Sequence, residues 1–120
     1  MTDTDALAGR RLLLVEDEYF VADDLARELR AGGAEVVGPV GTVDDALDLL
    51  DEAGRLDGAV LDLNLQGEMA FAVADALVEA NVPFVFTTGY DQAVIPARYA
   101  HVTRCEKPVG VARIAAALFE

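Results

Sequence analysis

The sequence predicts an α/β domain built on a doubly wound, five-stranded parallel sheet with helices on both faces. Two observations carry that prediction. Five short apolar runs alternate with stretches of helical periodicity within 120 residues, which is the rhythm of β-α units. The clearest of those runs are continuously apolar rather than alternating, and that suits strands covered on both faces. Parallel neighbours also need a crossover, usually a helix, and the helical stretches supply it.

Each element has its own signature. Residues 1–9 read as a flexible N-terminal tail. Arg11-Leu12-Leu13-Leu14-Val15 is the first strand, and Val21, Leu25 and Leu29, with Ala22 and Ala26 beside them, mark a helix that Gly32-Gly33 stops. Val36-Val37 lies in a second strand over Glu35 to Pro39. Thr42 then caps a helix with Val43, Leu47 and Leu50 on one side and Asp44, Asp45, Asp48 and Asp51 elsewhere. Gly58-Ala59-Val60-Leu61 is the third strand and ends on Asp62; after a loop with Gly67, a helix runs through Ala72, Val73, Ala76, Leu77 and Ala80. Pro83 to Thr88 is the fourth strand, stopped by Gly89. Asp91 to Ala100 carries a weak helical pattern that Pro96 confines to one side of itself. His101 to Glu106 reads as a less apolar fifth strand suited to an edge. Lys107-Pro108 breaks it, and Val111, Ile114, Ala115 and Leu118 form a last amphipathic helix. Right-handed crossovers then give the flavodoxin-like order 2-1-3-4-5.

Composition narrows the function. The length fits a single domain, and 53% hydrophobic residues exclude disorder. Nine Lys and Arg against 22 Asp and Glu give a net charge of −13, which excludes nucleic acid and anionic membrane surfaces as partners because both need cationic side chains. No stretch approaches the ~18 apolar residues of a spanning helix, and Met1-Thr2-Asp3-Thr4-Asp5 is acidic where a signal peptide is basic. Cys105 stands alone and fits a reducing cytoplasm.

In an open α/β sheet, ligands bind beyond the carboxyl ends of the strands, where strand order reverses. The residues expected there are Glu16 and Asp17 after the first strand, Asp62 after the third, Thr88 after the fourth and Lys107 after the fifth. Two carboxylates about 4 Å apart repel by ~4 kcal/mol at an effective dielectric near 20. Three of them call for a hard divalent cation, and oxygen ligands that leave room for waters and a phosphate oxygen suit Mg²⁺. Lys107 adds an ammonium and Thr88 a hydroxyl. Cation, ammonium and hydroxyl around a carboxylate are what phosphoryl transfer onto that carboxylate requires. The same crowding predicts that Asp17→Asn and Asp62→Asn each raise metal-free thermal stability.

The runs Leu14-Val15-Glu16-Asp17-Glu18, Leu61-Asp62-Leu63-Asn64, Phe86-Thr87-Thr88-Gly89 and Glu106-Lys107-Pro108 occur in this order. Over nearly the whole chain they resemble the receiver domain of two-component response regulators. Leu65-Gln66-Gly67-Glu68, with Phe86 to Tyr90, is similar to a subgroup of stand-alone receivers. The resemblance implies that Asp62 is the phosphorylated aspartate and that Glu16, Asp17, Asp62 and the backbone carbonyl of Asn64 hold Mg²⁺. It also implies that Thr88, not Thr87, is the switch hydroxyl and that Lys107 pairs with the phosphoryl group. It implies a cytoplasmic protein that catalyses only its own phosphorylation and dephosphorylation. The donor would be a histidine kinase or phosphotransfer protein, and the output a partner bound at the face of the fourth helix, fifth strand and fifth helix, or a phosphoryl shuttle. The chain departs from the family where Arg104 replaces an aromatic whose rotation reports phosphorylation, where Gln66 and Ala70 replace a common Pro and Gly, and where Val109 replaces Phe.

Three rival readings share parts of this pattern. A haloacid-dehalogenase-like phosphatase uses a strand-end aspartate and Mg²⁺ but wants a second carboxylate two residues on, where this chain has Asn64. A flavodoxin-like binding module wants a Gly, Ser or Thr-rich loop after the first strand, where Glu16-Asp17-Glu18 is electrostatically wrong for phosphate. A degenerate receiver would act only as an interaction module. His101 reads as a surface residue and Cys105 as a small buried hydrophobe, while Tyr90 and Tyr99 suit either partner contact or core packing.

Overall fold

A computed structural model describes residues 6–89 and 95–119. Strands β1 (Arg11–Val15), β2 (Glu35–Val40), β3 (Gly58–Asp62), β6 (Phe84–Thr88) and β7 (Arg104–Glu106) form one sheet in the order β2-β1-β3-β6-β7. All four pairings are parallel. With the short hairpin strands β4 (Asn64–Leu65) and β5 (Glu68–Met69) set aside, this is the expected 2-1-3-4-5 topology.

Successive strand side chains point to opposite faces, so the sheet feeds two cores. Leu13, Val15, Leu61, Phe84 and Phe86 pack with Ala46 of α2 (Val43–Glu52) and with Val73 and Leu77 of α3 (Phe71–Glu79). Leu12, Leu14, Val60 and Val85 pack with Leu25 and Leu29 of α1 (Tyr19–Ala31) and with Ile114 and Ala115 of α4 (Val111–Phe119). The α2 start follows its signal: Thr42 Oγ1 accepts the Asp45 N–H at 3.1 Å, and Asp44 and Asp45 occupy the positive first turn.

The described structure departs from the sequence reading in three places. Residues 1–5 of the expected tail lie outside the described residues, but residues 6–9 are docked. Leu7 is 0% exposed in the α1/α4 core, and the Gly9 N–H bonds the Gly33 carbonyl at 3.0 Å. The close approach depends on Gly32, where an added Cβ would stand 3.0 Å from a Leu7 methyl. The helical pattern over 91–100 falls partly on 91–94, outside the described residues; beyond Pro96 only a 3₁₀ turn forms, Ala97–Tyr99. That turn shortens the fifth strand, because the Ala100 and Val102 N–H groups bond the Ala97 and Tyr99 carbonyls, and pairing begins only near Thr103.

The β4-β5 hairpin is an addition. Its two loop residues, Gln66 (φ 54°) and Gly67 (φ 87°), both have positive φ, the pattern of a type I′ turn. Glycine adopts that conformation without steric cost and glutamine does not.

Candidate functional site

Strand ends bring the predicted residues together. Glu16 and Asp17 follow β1, Asp62 ends β3, Thr88 ends β6 and Lys107 follows β7. Ladder-like backbone bonds hold these ends: Glu16 N–H to the Val40 carbonyl at 2.9 Å, Leu63 N–H to Thr87 at 3.0 Å and Lys107 N–H to Thr88 at 2.8 Å. The strand ends and the loops after them enclose a crevice of about 390 Å³ lined by Asp17, Asp62, Asn64, Thr88 and Lys107 among others.

Lys107 Nζ bridges the two buried acids, 2.8 Å from Glu16 Oε1 and 2.9 Å from Asp62 Oδ2. Their residues are 5% and 4% exposed. The opposite oxygens accept backbone donors: Glu16 Oε2 from Glu18 N–H at 3.1 Å and Asp62 Oδ1 from Asn64 N–H at 3.2 Å. Asp17, half-buried at the rim, accepts the Gln66 N–H of the hairpin on Oδ2 at 3.0 Å.

One ammonium among three carboxylates leaves the crevice short of positive charge. Burial, with Asp62 alongside, pushes Glu16 up to about 7 from 4.5, against the pull of Lys107 and the Glu18 N–H. Burial likewise raises Asp62 despite Lys107. For Asp17, burial works against ionisation, but hydrogen bonds with Glu16, Asp62 and the Gln66 N–H outweigh it and hold the carboxyl below its ordinary value. The Lys107 ammonium is desolvated, yet its bonds to Glu16 and Asp62 raise it.

Carboxylate oxygens of Glu16, Asp17 and Asp62 lie within 4.8 Å of one another and could hold a metal ion. Among the described residues every buried side-chain polar atom has a partner, so the fit rests on the donor set: hard, anionic oxygens in excess of local cations. Asn64 fits beside them. Its side-chain Oδ1 accepts the Gly67 N–H at 2.8 Å and is committed to the turn. Thr87 and Thr88 separate by strand alternation. Thr88 lines the crevice with Asp62, whereas Thr87 lines a groove on the α1 side with Val21, Leu25 and Val109. Arg104 is exposed on the edge strand, where the sequence reading noted the missing aromatic.

Two backbone contributors escaped the sequence reading. The Glu18 and Gln66 N–H groups hold Glu16 and Asp17 in place, yet no side chain advertises a backbone donor. Of the two roles the sequence leaves open for Tyr99, the structure shows core packing: it is 2% exposed and stacked beneath β6.

Fold and site together define a doubly wound α/β domain with an acidic, lysine-bridged crevice at its topological switch point. No protein-family model matches the chain. The solution structure of SdrG from Sphingomonas melonis Fr1 is 37% identical, covers 94% of this chain and 97% of its own, and superposes with a TM-score of 0.79. The BeF3-activated conformation of SdrG gives a TM-score of 0.76 at the same identity, over 92% of this chain and 97% of that one. A response regulator receiver protein from Sinorhizobium medicae WSM419 shares the fold, with 24% identity, a TM-score of 0.74 and coverage of 92% and 91%. The transcriptional regulatory protein PdtaR of Mycobacterium tuberculosis is 33% identical over 92 residues, 76% of this chain; the chain spans 44% of that relative's length. The chain belongs to the response regulator receiver family, whose members serve two-component signalling. Among the described residues no helix is long and apolar enough to cross a membrane.

Proposed function

We propose that this receiver accepts a phosphoryl group on Asp62 from a histidine kinase or phosphotransfer protein. It then signals by phosphorylation-dependent protein binding or by passing the group on. The observation that carries this reading is the setting of Asp62 Oδ2: 2.9 Å from Lys107 Nζ, in a crevice that Thr88 also lines. An Asp62 oxygen attacks phosphorus, the P–N bond of the donor phosphoimidazole breaks, and the imidazole leaves with a proton. The Lys107 ammonium pairs with the transferred phosphoryl oxygens, Thr88 donates its hydroxyl to them, and the Asn64 N–H keeps the carboxylate oriented. Glu16, Asp17, Asp62 and the Asn64 carbonyl are the groups to hold Mg²⁺, which when bound supplies charge neutralisation at the phosphoryl group. That SdrG has a BeF3-activated conformation supports this reading, since beryllofluoride bound to a carboxylate oxygen has the tetrahedral shape of an acyl phosphate.

In this reading the protein acts only on its own Asp62, in the cytoplasm, and its output face is the 97–106 segment with α4. The phosphatase reading lacks its general acid, since the residue two beyond Asp62 is Asn64, whose side chain is tied to Gly67. Incubation with Mg²⁺ and a small acyl phosphate, followed by intact mass measurement, should give one acid-labile phosphoryl adduct that Asp62→Asn abolishes. An adduct that survives the substitution refutes the reading.

A further inference from the structure

The β4-β5 hairpin carries two left-handed residues at the rim of the crevice. Gln66 and Gly67, both lining it, have φ of 54° and 87°, and a side chain at such an angle is costlier than glycine. Three contacts hold that conformation. Asn64 Oδ1 accepts the Gly67 N–H at 2.8 Å, Leu65 is buried, and the Ala70 N–H, directly after β5, bonds the Leu63 carbonyl at 3.0 Å. Ala70 has φ −84° and needs no glycine. The departures from the family pattern at 66 and 70 therefore belong to one hairpin, with its left-handed residues at the tip.

The consequence of that tip lies at Asp17. The Gln66 N–H donates to Asp17 Oδ2 at 3.0 Å, a bond that spans 49 residues of sequence. The common Pro can do neither thing Gln66 does, because its ring fixes φ near −65° and it has no N–H. On the other side Gly41 backs Asp17 closely, since an added Cβ there would stand 3.2 Å from the Asp17 Cα. Lys107 bridges Glu16 and Asp62, while Asp17 at the rim takes its bond from the hairpin. A carboxylate accepts more than one bond, so the N–H orients Asp17 without closing it to a cation.

We propose that Gln66 is a positioning residue for the cation: its backbone N–H, not its side chain, fixes Asp17 as a ligand, and the left-handed turn is what presents that N–H. The proposal rests on the reading of Glu16, Asp17, Asp62 and the Asn64 carbonyl as the Mg²⁺ ligands. The N–H is neutral and leaves the net charge of the crevice unchanged, so its effect is on the orientation of Asp17. Groups that hydrogen-bond a ligating carboxylate are worth roughly 10–100-fold in metal affinity.

Calorimetric titration of the metal-free full chain with MgCl₂ at pH 8 tests this. Gln66→Ala and Gln66→Gly keep the N–H and should bind Mg²⁺ as wild type does. Gln66→Pro removes it and should bind at least about 10-fold more weakly. Proline also disturbs the turn, so a semisynthetic chain with an ester at the 65–66 linkage, which deletes the N–H alone, should show the same loss. Amide NMR gives a second readout: Asp17→Ala should move the Gln66 amide and speed its hydrogen exchange, while the Gly67 amide, bonded to Asn64, stays in place. Wild-type affinity in the ester-linked chain, a loss in Gln66→Ala equal to that in Gln66→Pro, or an unmoved Gln66 amide in Asp17→Ala overturns the proposal alone. A wild type that binds no Mg²⁺ overturns the cation reading of the crevice and the proposal with it.

Discussion

Replacing Glu16 with Gln isolates the electrostatic cost of the crevice. Burial beside Asp62 pushes the Glu16 carboxyl from 4.5 up to about 7. The sign follows from linkage: the folded state holds this proton more tightly than the unfolded state. The associated stability is fully present below about pH 4.5 and is lost as pH rises through about 7. A difference of 2.5 between 4.5 and 7, at about 1.4 kcal/mol per pKa unit, sets a ceiling of about 3 kcal/mol. Glutamine keeps the shape and leaves an oxygen for Lys107 to bond, but it carries no charge to desolvate. Metal-free Glu16→Gln should therefore exceed wild type at pH 8 by up to about 3 kcal/mol, or about 10 °C in Tm. The gap should close toward pH 4.5. Urea denaturation across that pH range reads the difference directly. Equal stability at pH 8, or a gap that does not change with pH, would refute the account of the buried acids.

Other changes test the same charges from different sides. Lys107→Ala strands two buried carboxylates without their ammonium and should cost about 3–5 kcal/mol at pH 8 without metal, with much of the loss recovered at acid pH; denaturation at both pH values checks it. Asp17→Asn should leave metal-free stability unchanged or lower, because Asp17 ionises more readily than an ordinary aspartate and serves the Gln66 N–H as a full acceptor. This corrects the stabilisation expected from the sequence for that substitution, and a rise in Tm would restore it. Mg²⁺ binding must displace the Glu16 proton, so the Tm gain at fixed Mg²⁺ should grow as pH rises through about 7.

The sheet was legible because its signals are local. Continuous runs such as Leu12 to Val15 and Gly58 to Leu61 have no other use in a chain this short, and Thr42 and Gly32-Gly33 mark their helix ends within a turn. Long-range effects were not legible. Leu7 reads as part of a flexible tail until Gly32 and Gly33 bring α1 against it. The hairpin hid because Gln66 takes a positive φ that its side chain disfavours. The shortened β7 followed from amides spent on the turn at Ala97–Tyr99. Among the site residues, side-chain identity and strand ends sufficed to gather Glu16, Asp17, Asp62, Thr88 and Lys107. The unequal fates of the three acids needed burial and backbone donors, neither of which residue type records.

Borohydride reduction after phosphorylation bears most directly on the central claim, because it converts an aspartyl phosphate to homoserine at the residue that carried it. Peptide sequencing of the reduced protein should find homoserine at position 62. Homoserine at another position, or none in a protein that has taken up phosphoryl, would contradict the assignment of Asp62 as the acceptor.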